Sequence, residues 1–278
     1  MNESALGGLA SAGQNLASVY PGYQMLAPYF MNYEFGGKDM ISIMEPYINI
    51  WCTKVNAWTP QGATGNGVVH MLSQIAANGT YAQRMAKQVE GGDKNWVYYC
   101  WEPLEPYTTF DAAHEGIEQR VAFWQSYQND VTGLLYFCVN EWAAVSHWNK
   151  IEKINAGGNP VYGDGTIVYC GDKLSRLGEE NIDAPVSSMR LENIRDGIED
   201  YQYLYMAEEL FGEETVNEFI EKITTDVITW TKDEDVLQNT RAALGDLIET
   251  ATPKVYPESI EFRADSGIYT YGEVKQIA

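Results

Sequence analysis

Two glutamates stand where apolar aromatic runs end. WVYYC is followed by Trp101 and Glu102, and LLYFCV by Asn140, Glu141 and Trp142. Carboxyl groups carried on the ends of neighbouring strands can serve as a proton donor and a nucleophile or base, the pair that cleaves a glycosidic bond. They can equally be structural or substrate-orienting groups, and sequence does not fix the distance between them. The residues around them suit a sugar: Trp51, Trp101 and Trp142 offer flat faces to the C–H faces of a pyranose, while Asn140, Glu102 and Glu141 offer partners to its hydroxyls. Each tryptophan taken singly also reads as an ordinary core filler.

Those groups must be carried by a repeated scaffold. Short β-branched and aromatic runs bounded by Gly, Pro or Asn predict strands at 25–30, 47–52, 96–101, 133–139 and 166–170. Continuous apolar character marks strands covered on both faces, as in a parallel sheet. Between them, 68–89 and 111–128 carry helical spacing, the second with Ile117, Val121 and Trp124 on one stripe and Asp111 placed to cap its first turn. Alternating strand and helix gives an α/β fold, either a (β/α)8 barrel or an open doubly wound sheet. No Gly-x-Gly-x-x-Gly or Gly-x-x-x-x-Gly-Lys is present, which removes the main support for a nucleotide-binding open sheet and favours the barrel. In a barrel the chemistry lies at the C-terminal strand ends, where the residues above fall.

Composition excludes several classes. The 278 residues, 45% apolar, can bury a substantial core. A net charge of −21, from 18 basic and 39 acidic side chains, opposes binding to a phosphate backbone, so no nucleic-acid partner is expected. No apolar run approaches a membrane span and MNESALGGLASAGQ lacks the basic and apolar regions of a signal peptide, so neither a membrane partner nor an address is read from this stretch. Cys52, Cys100, Cys138 and Cys170 are too far apart for a zinc site and each closes an aromatic run, which reads as a small buried hydrophobe. No cofactor or metal is expected.

Residues 185–205, PVSSMRLENIRDGIEDYQYLY, with the preceding GDGTIVYCG at 163–171, are the most specific part of the chain. Leu191, Ile194, Ile198, Tyr201 and Tyr205 predict an inward helical stripe. Glu192 and Glu199 can pair with Arg195, and Ser188 is the N-cap without a capping box. Arg190 in the first turn opposes the helix dipole and so calls for a specific anionic or carbonyl partner.

With YINIWC, WVYYC, GIEQRVAFWQSY and GLLYFCVNEW, these segments resemble the C-terminal part of the catalytic domain of glycoside hydrolase family 123. This is the β-N-acetylgalactosaminidase family, with its relatives of the domain-of-unknown-function 4091 type. The resemblance implies a (β/α)8 barrel and substrate-assisted, retaining removal of terminal N-acetylgalactosamine. The sugar's acetamido oxygen is the nucleophile, an Asp orients it and an adjacent Glu is the acid and base. It also implies that strands five to eight are present, that the Asp-Glu pair ending strand four lies upstream of Met1, and that this polypeptide alone is inactive. The candidate substrate-binding residues are then Trp51, Tyr99, Trp101, Glu102, Asn140, Glu141 and Trp142. Glu102 departs from the family's usual residue, and Tyr33 and Glu34 are weaker candidates. No catalytic residue is carried over, because the single Asp-Glu dipeptide, Asp233-Glu234, lies between two helices.

The expected division is a partial barrel over 1–205, a helical hairpin over 206–252 with helices at 207–211, 215–230 and 236–251, and a tail over 253–278 with a strand near 259–263. The partners are a glycan and either the missing N-terminal half-barrel or a second copy. The other reading is a non-catalytic carbohydrate-binding or scaffold domain. The compartment is open, secreted or periplasmic if the full-length protein follows the family.

Overall fold

The computed structural model describes residues 3–20, 22–29, 34–35, 38–60, 63, 79–142, 152–155, 158–251, 261–264 and 267–270. Four parallel strands form one sheet in chain order: β1 (Leu26–Tyr29), β2 (Ile50–Lys54), β3 (Lys94–Tyr99) and β4 (Gly133–Tyr136). The seven α-helices of the described residues are α1 (Glu3–Val19), α2 (Met40–Met44), α3 (Tyr81–Glu90), α4 (Ile117–Gln128), α5 (Met189–Phe211), α6 (Glu213–Ile223) and α7 (Glu234–Ala251). The chain is thus a mixed α/β protein with a parallel sheet, as its alternating pattern requires. The expected helix at 68–89 lies partly outside the described residues. Its visible end is α3, opened by a capping box in which Thr80 Oγ1 accepts from the Gln83 amide and Gln83 Oε1 accepts from the Thr80 amide.

The fifth expected strand does not join this sheet. Val168–Cys170 pairs antiparallel with Pro185–Ser187. The run TIVYC has strand propensity, but propensity does not choose a partner. Gly163 and Gly165, at φ of 73° and 79°, turn the chain first, and the nearby Pro185–Ser187 segment then takes up its hydrogen bonds. Asp111 does not cap α4 either. Its Oδ1 accepts from the Ala113 amide and its Oδ2 from the Tyr162 amide, so it closes a separate turn, and Gly116 precedes the helix.

Two cores meet on α4. On one side Trp51, Val97, Tyr99, Phe110 and Phe123 pack with Ile41, Met44, Tyr81 and Met85 beneath the sheet. On the other, the expected stripe of Ile117, Val121 and Trp124 packs with Leu204 and Ala207 of α5, Val216 and Ile220 of α6, and Leu237 and Leu244 of α7. Every residue of α4 from Ile117 to Ser126 is therefore buried. Each large apolar side chain enclosed this way contributes about 1.5–3 kcal/mol by leaving water.

α5 buries the expected stripe only in part: Leu191, Ile194 and Tyr201 are half-buried against the first core. Its buried residues are Arg190, Gly197, Asp200, Leu204 and Ala207, whereas Ile198 and Tyr205 are exposed. Directional contacts decided the orientation. Asp200, 0% exposed, accepts from Arg120 Nε at 3.0 Å and Nη2 at 2.8 Å and from the Trp124 indole at 3.1 Å, with Arg241 Nε at 3.5 Å. Gly197 lets the helices approach, since a Cβ there would lie 2.3 Å from Phe123 Cδ2. Ile194, Ile198 and Tyr201 also line a groove of about 490 Å³ beside β4.

Beyond α5, the helix expected over 215–230 ends at Ile223, and a tight hairpin of Thr224–Asp226 against Thr229–Trp230 follows. Two β-branched threonines at 224 and 225 suit an extended chain. Asp226 Oδ1 accepts from the Ile228 amide, which closes the turn. The strand expected near 259–263 is Glu261–Ala264, paired with Gly267–Thr270.

Asp200→Ala is expected to lower unfolding stability by about 3–5 kcal/mol, because Arg120 is left as a buried charge without its acid. Urea denaturation measures this. A loss of about 0–1 kcal/mol, typical of an exposed pair, would show that packing alone holds α4 on α5.

Candidate functional site

The C-terminal ends of β2, β3 and β4 gather two ion-pair clusters. Lys54, the last residue of β2, is buried and donates from Nζ to Glu102 Oε2 at 3.0 Å, just past β3. Lys153, on the strand Glu152–Ile154 of a hairpin that follows β4, donates to Glu141 and lies 3.7 Å from Asp164 Oδ2. Asp164 also accepts from the Tyr136 hydroxyl at 3.3 Å, and that oxygen accepts from the Gly165 amide.

Burial raises the carboxyl pKa of Asp164. Lys153 and the Tyr136 hydroxyl oppose that shift and the Glu141 charge adds to it. Cys100 connects the clusters electrostatically: burial pushes its thiol up, Lys54 pulls it down and Asp164 pushes it up again. The Tyr98 hydroxyl is raised by burial and then by Cys100, and Cys52 below it is pushed up to about 12 by burial. None of the four cysteines is in a disulfide.

Which side chains share this face follows from the pleat. Successive residues of a strand point to opposite faces, and paired residues in a parallel sheet point the same way. Lys54 pairs with Tyr98 and Cys52 with Trp96, so Cys52, Lys54, Trp96, Tyr98 and the following Cys100 and Glu102 alternate onto one face. Trp51 and Tyr99 are one residue out of step, and the structure puts both in the helix-covered core. Trp51 is 0% exposed and donates from Nε1 to Asp93 at 2.8 Å, before the start of β3. Tyr99 stacks on Phe110 at 4.6 Å and its hydroxyl lies 3.0 Å from Thr108 Oγ1.

The other expected residues do reach the strand ends. Trp101 is 37% exposed, Glu102 and Glu141 are the acids of the two clusters, and Asn140 is exposed. Trp142 is fixed by its indole donating to the Val168 carbonyl at 2.7 Å. Exposed Phe137 and Val139 lie on the same segment, and Lys153 Nζ sits 5.4 Å from the Phe137 ring centre. Tyr33 lies outside the described residues, and Glu34 belongs to a two-residue strand, Glu34–Phe35, against Lys38–Asp39.

Sequence reasoning did not single out Lys54, Lys153 or Asp164. Asp164 lies in the motif GDGTIVYCG, and its glycines were the available signal. Arg190 holds that turn: Nη1 donates to the carbonyls of Phe110 at 2.9 Å and Gly163 at 2.8 Å, and Nη2 to Thr166 at 2.6 Å. These are the carbonyl partners its place against the helix dipole demanded. Ser188 accepts from the Leu191 amide, the expected N-cap.

The sequence matches the family described as "Glycoside hydrolase 123, catalytic domain" over residues 38–207, more than half of the chain. No curated protein matches it. Among solved structures, a family 123 glycoside hydrolase from Clostridium perfringens, studied for glycolipid glycan hydrolysis, is similar with 15% identity and a TM-score of 0.48. The match covers 80% of this chain and 35% of that one, so the present chain spans about a third of that protein's length. No helix among the described residues is long and apolar enough to cross a membrane.

The environment of Asp164 sets a pH dependence. Its folded-state pKa is raised, so the fold favours the protonated acid. Its contribution is complete below the ordinary value of 3.8 and is lost as pH rises through the elevated one. Asp164→Asn should therefore remove a fall in stability that the parent chain shows across that window, read from urea midpoints at a series of pH values. Parallel curves for the two proteins would refute this.

Proposed function

The chain belongs to glycoside hydrolase family 123, and from that premise we propose that it supplies part of the sugar site of an enzyme removing terminal N-acetylgalactosamine, or a related N-acetylhexosamine, from glycans. The observation that carries this reading is the family match across β2, β3, β4 and most of α5. The reaction proposed is substrate-assisted and retaining: the acetamido oxygen attacks the anomeric carbon, an Asp orients the acetamide, and a Glu protonates the leaving oxygen and later activates water. Substrate assistance is a recognised alternative to the two-carboxylate scheme.

The acid pair is proposed to lie outside these 278 residues. Asp233-Glu234, the single dipeptide of that kind, has a structural task, since Asp233 Oδ1 accepts from the amides of Asp235 at 2.9 Å and Val236 at 3.3 Å and so caps α7. Four parallel strands in chain order fit strands five to eight of a (β/α)8 barrel, with β1 and β4 as the edges of the sheet among the described residues. The groove beside β4 supports that arrangement. An extended apolar strand laid there would meet both Leu134, Ile194 and Ile198 and the backbone edge of β4.

Within the site, Trp101 and Trp142 are proposed to stack on sugar rings and Asn140, Glu141 and Glu102 to bind hydroxyls. Trp51 and Tyr99 would support from behind.

The purified chain is expected not to hydrolyse an aryl N-acetyl-β-galactosaminide, and to bind a hydrophobic dye or self-associate through those sheet edges. Addition of an upstream half-barrel bearing a strand that ends in Asp-Glu should restore hydrolysis. Turnover by the chain alone would overturn the division of labour. A folded complex that binds N-acetylgalactosamine without turnover would favour the non-catalytic carbohydrate-binding reading.

A further inference from the structure

Away from the strand-end clusters, three side chains from two loops and a helix converge before α4. Glu105 comes from the loop after β3, His114 from the turn that Asp111 closes, and Glu118 from the first turn of α4. One ligand atom from each lies within 4.8 Å of the others. Glu118 is 1% exposed, an unusual place for a carboxylate unless it is paired or ligates a metal. Its Oε2 accepts from the Thr109 amide at 2.9 Å, which fixes the carboxylate, and its Oε1 faces His114 Nδ1 at 3.2 Å.

We propose that Glu105, His114 and Glu118 form a binding site for a divalent transition cation of the zinc class, with water as the fourth ligand. A deprotonated ring nitrogen and a carboxylate oxygen present lone pairs to each other, so a positive centre must sit between them. A proton fills that role, and so does a metal ion. Zinc binds nitrogen and carboxylate oxygen at roughly 2.0–2.2 Å, which sets neighbouring ligands of a tetrahedron roughly 3.4 Å apart. The His114 to Glu118 separation of 3.2 Å is already close to that edge. Glu105 has to close in by a rotation of its exposed side chain.

The surrounding charge favours a cation. Asp111 and Glu105 act with Glu118 on His114, and Glu115 joins Glu105 and Glu118 in acting on Lys232. Four carboxylates thus surround one histidine and one lysine. Lys232 Nζ now pairs with Glu105 at 3.1 Å, but both side chains are more than half exposed, and a pair of that kind is easily displaced. One nitrogen and two oxygens are too few for calcium, which takes six to eight oxygens, and suit zinc or its neighbours.

The test is calorimetric titration of the chelator-stripped chain with zinc chloride, with metal content measured after dialysis. The expected result is one zinc per chain, with affinity at least tenfold weaker in both His114→Gln and Glu105→Gln and several-fold tighter in Lys232→Met. The exchanged groups are partly or largely exposed, and circular dichroism checks that each variant is folded. Absence of saturable binding overturns the proposal. Zinc binding unchanged in His114→Gln and Glu105→Gln also overturns it, since the ion would then sit elsewhere, for instance on a cysteine thiol. Equal saturation by calcium would do the same.

Discussion

The buried ion pair of Asp200 with Arg120 fixes the relation between the sheet and everything that follows it. An isolated carboxylate at 0% exposure would be prohibitively costly, so Asp200 is tolerable only where Arg120 meets it with two parallel donors and Trp124 with a third. Apolar packing allows helices to slide by a turn at modest cost, whereas this geometry does not. It sets α5 against α4 at one register, with Gly197 against Phe123, and Arg241 brings α7 to the same charge.

That register is transmitted to the strand ends by a second arginine. Arg190 lies on the same buried side of α5 as Asp200, and its position decides where the carbonyls of Phe110, Gly163 and Thr166 can be. The grip leaves no room for a side chain at residue 163, where a Cβ would fall 2.7 Å from Arg190 Nη2, and φ of 73° there independently favours glycine. Asp164 is the next residue, and its placement between Tyr136 and Lys153 therefore depends on a helix whose own orientation is set by the Asp200 pair.

The parts legible in the sequence were those with a strong period. The stripe Ile117, Val121 and Trp124 gave α4, and the apolar runs gave the four strands of the sheet, with ends moved by a few residues. The strand faces were not legible, because a strand covered on both sides has no polar alternation to show which way Trp51 or Lys54 points. For α5 the apolar stripe was a partial guide, since Leu191, Ile194 and Tyr201 pack half-buried against the core while Ile198 and Tyr205 are exposed. Its buried side is led by an arginine, a glycine and an aspartate, whose partners lie from 24 to 80 residues away in sequence. Lys153 was invisible for the same reason, being brought to Glu141 and Asp164 by a hairpin and a glycine turn rather than by any local pattern. The capping box at Thr80 and Gln83 was readable too, but it lies inside the helical spacing of 68–89, which by itself gave no reason to start a helix there.

The charge distribution at the strand ends bears on what can bind there. A chain with 18 basic residues against 39 acidic ones places two lysines at this rim, yet each is matched by acid: Lys54 by Glu102, and Lys153 by Glu141 and Asp164. Cations neutralised in this way offer little to a phosphate or sulfate, whose binding relies on uncompensated positive charge. They instead hold carboxylate oxygens at fixed positions, where those oxygens can accept from neutral hydroxyls. Exposed Trp101 and Phe137 nearby add apolar faces. A ligand with alternating hydroxyl and C–H surfaces and no net charge makes use of both kinds of group at once. An anionic ligand would be repelled by the acids before the lysines could reach it.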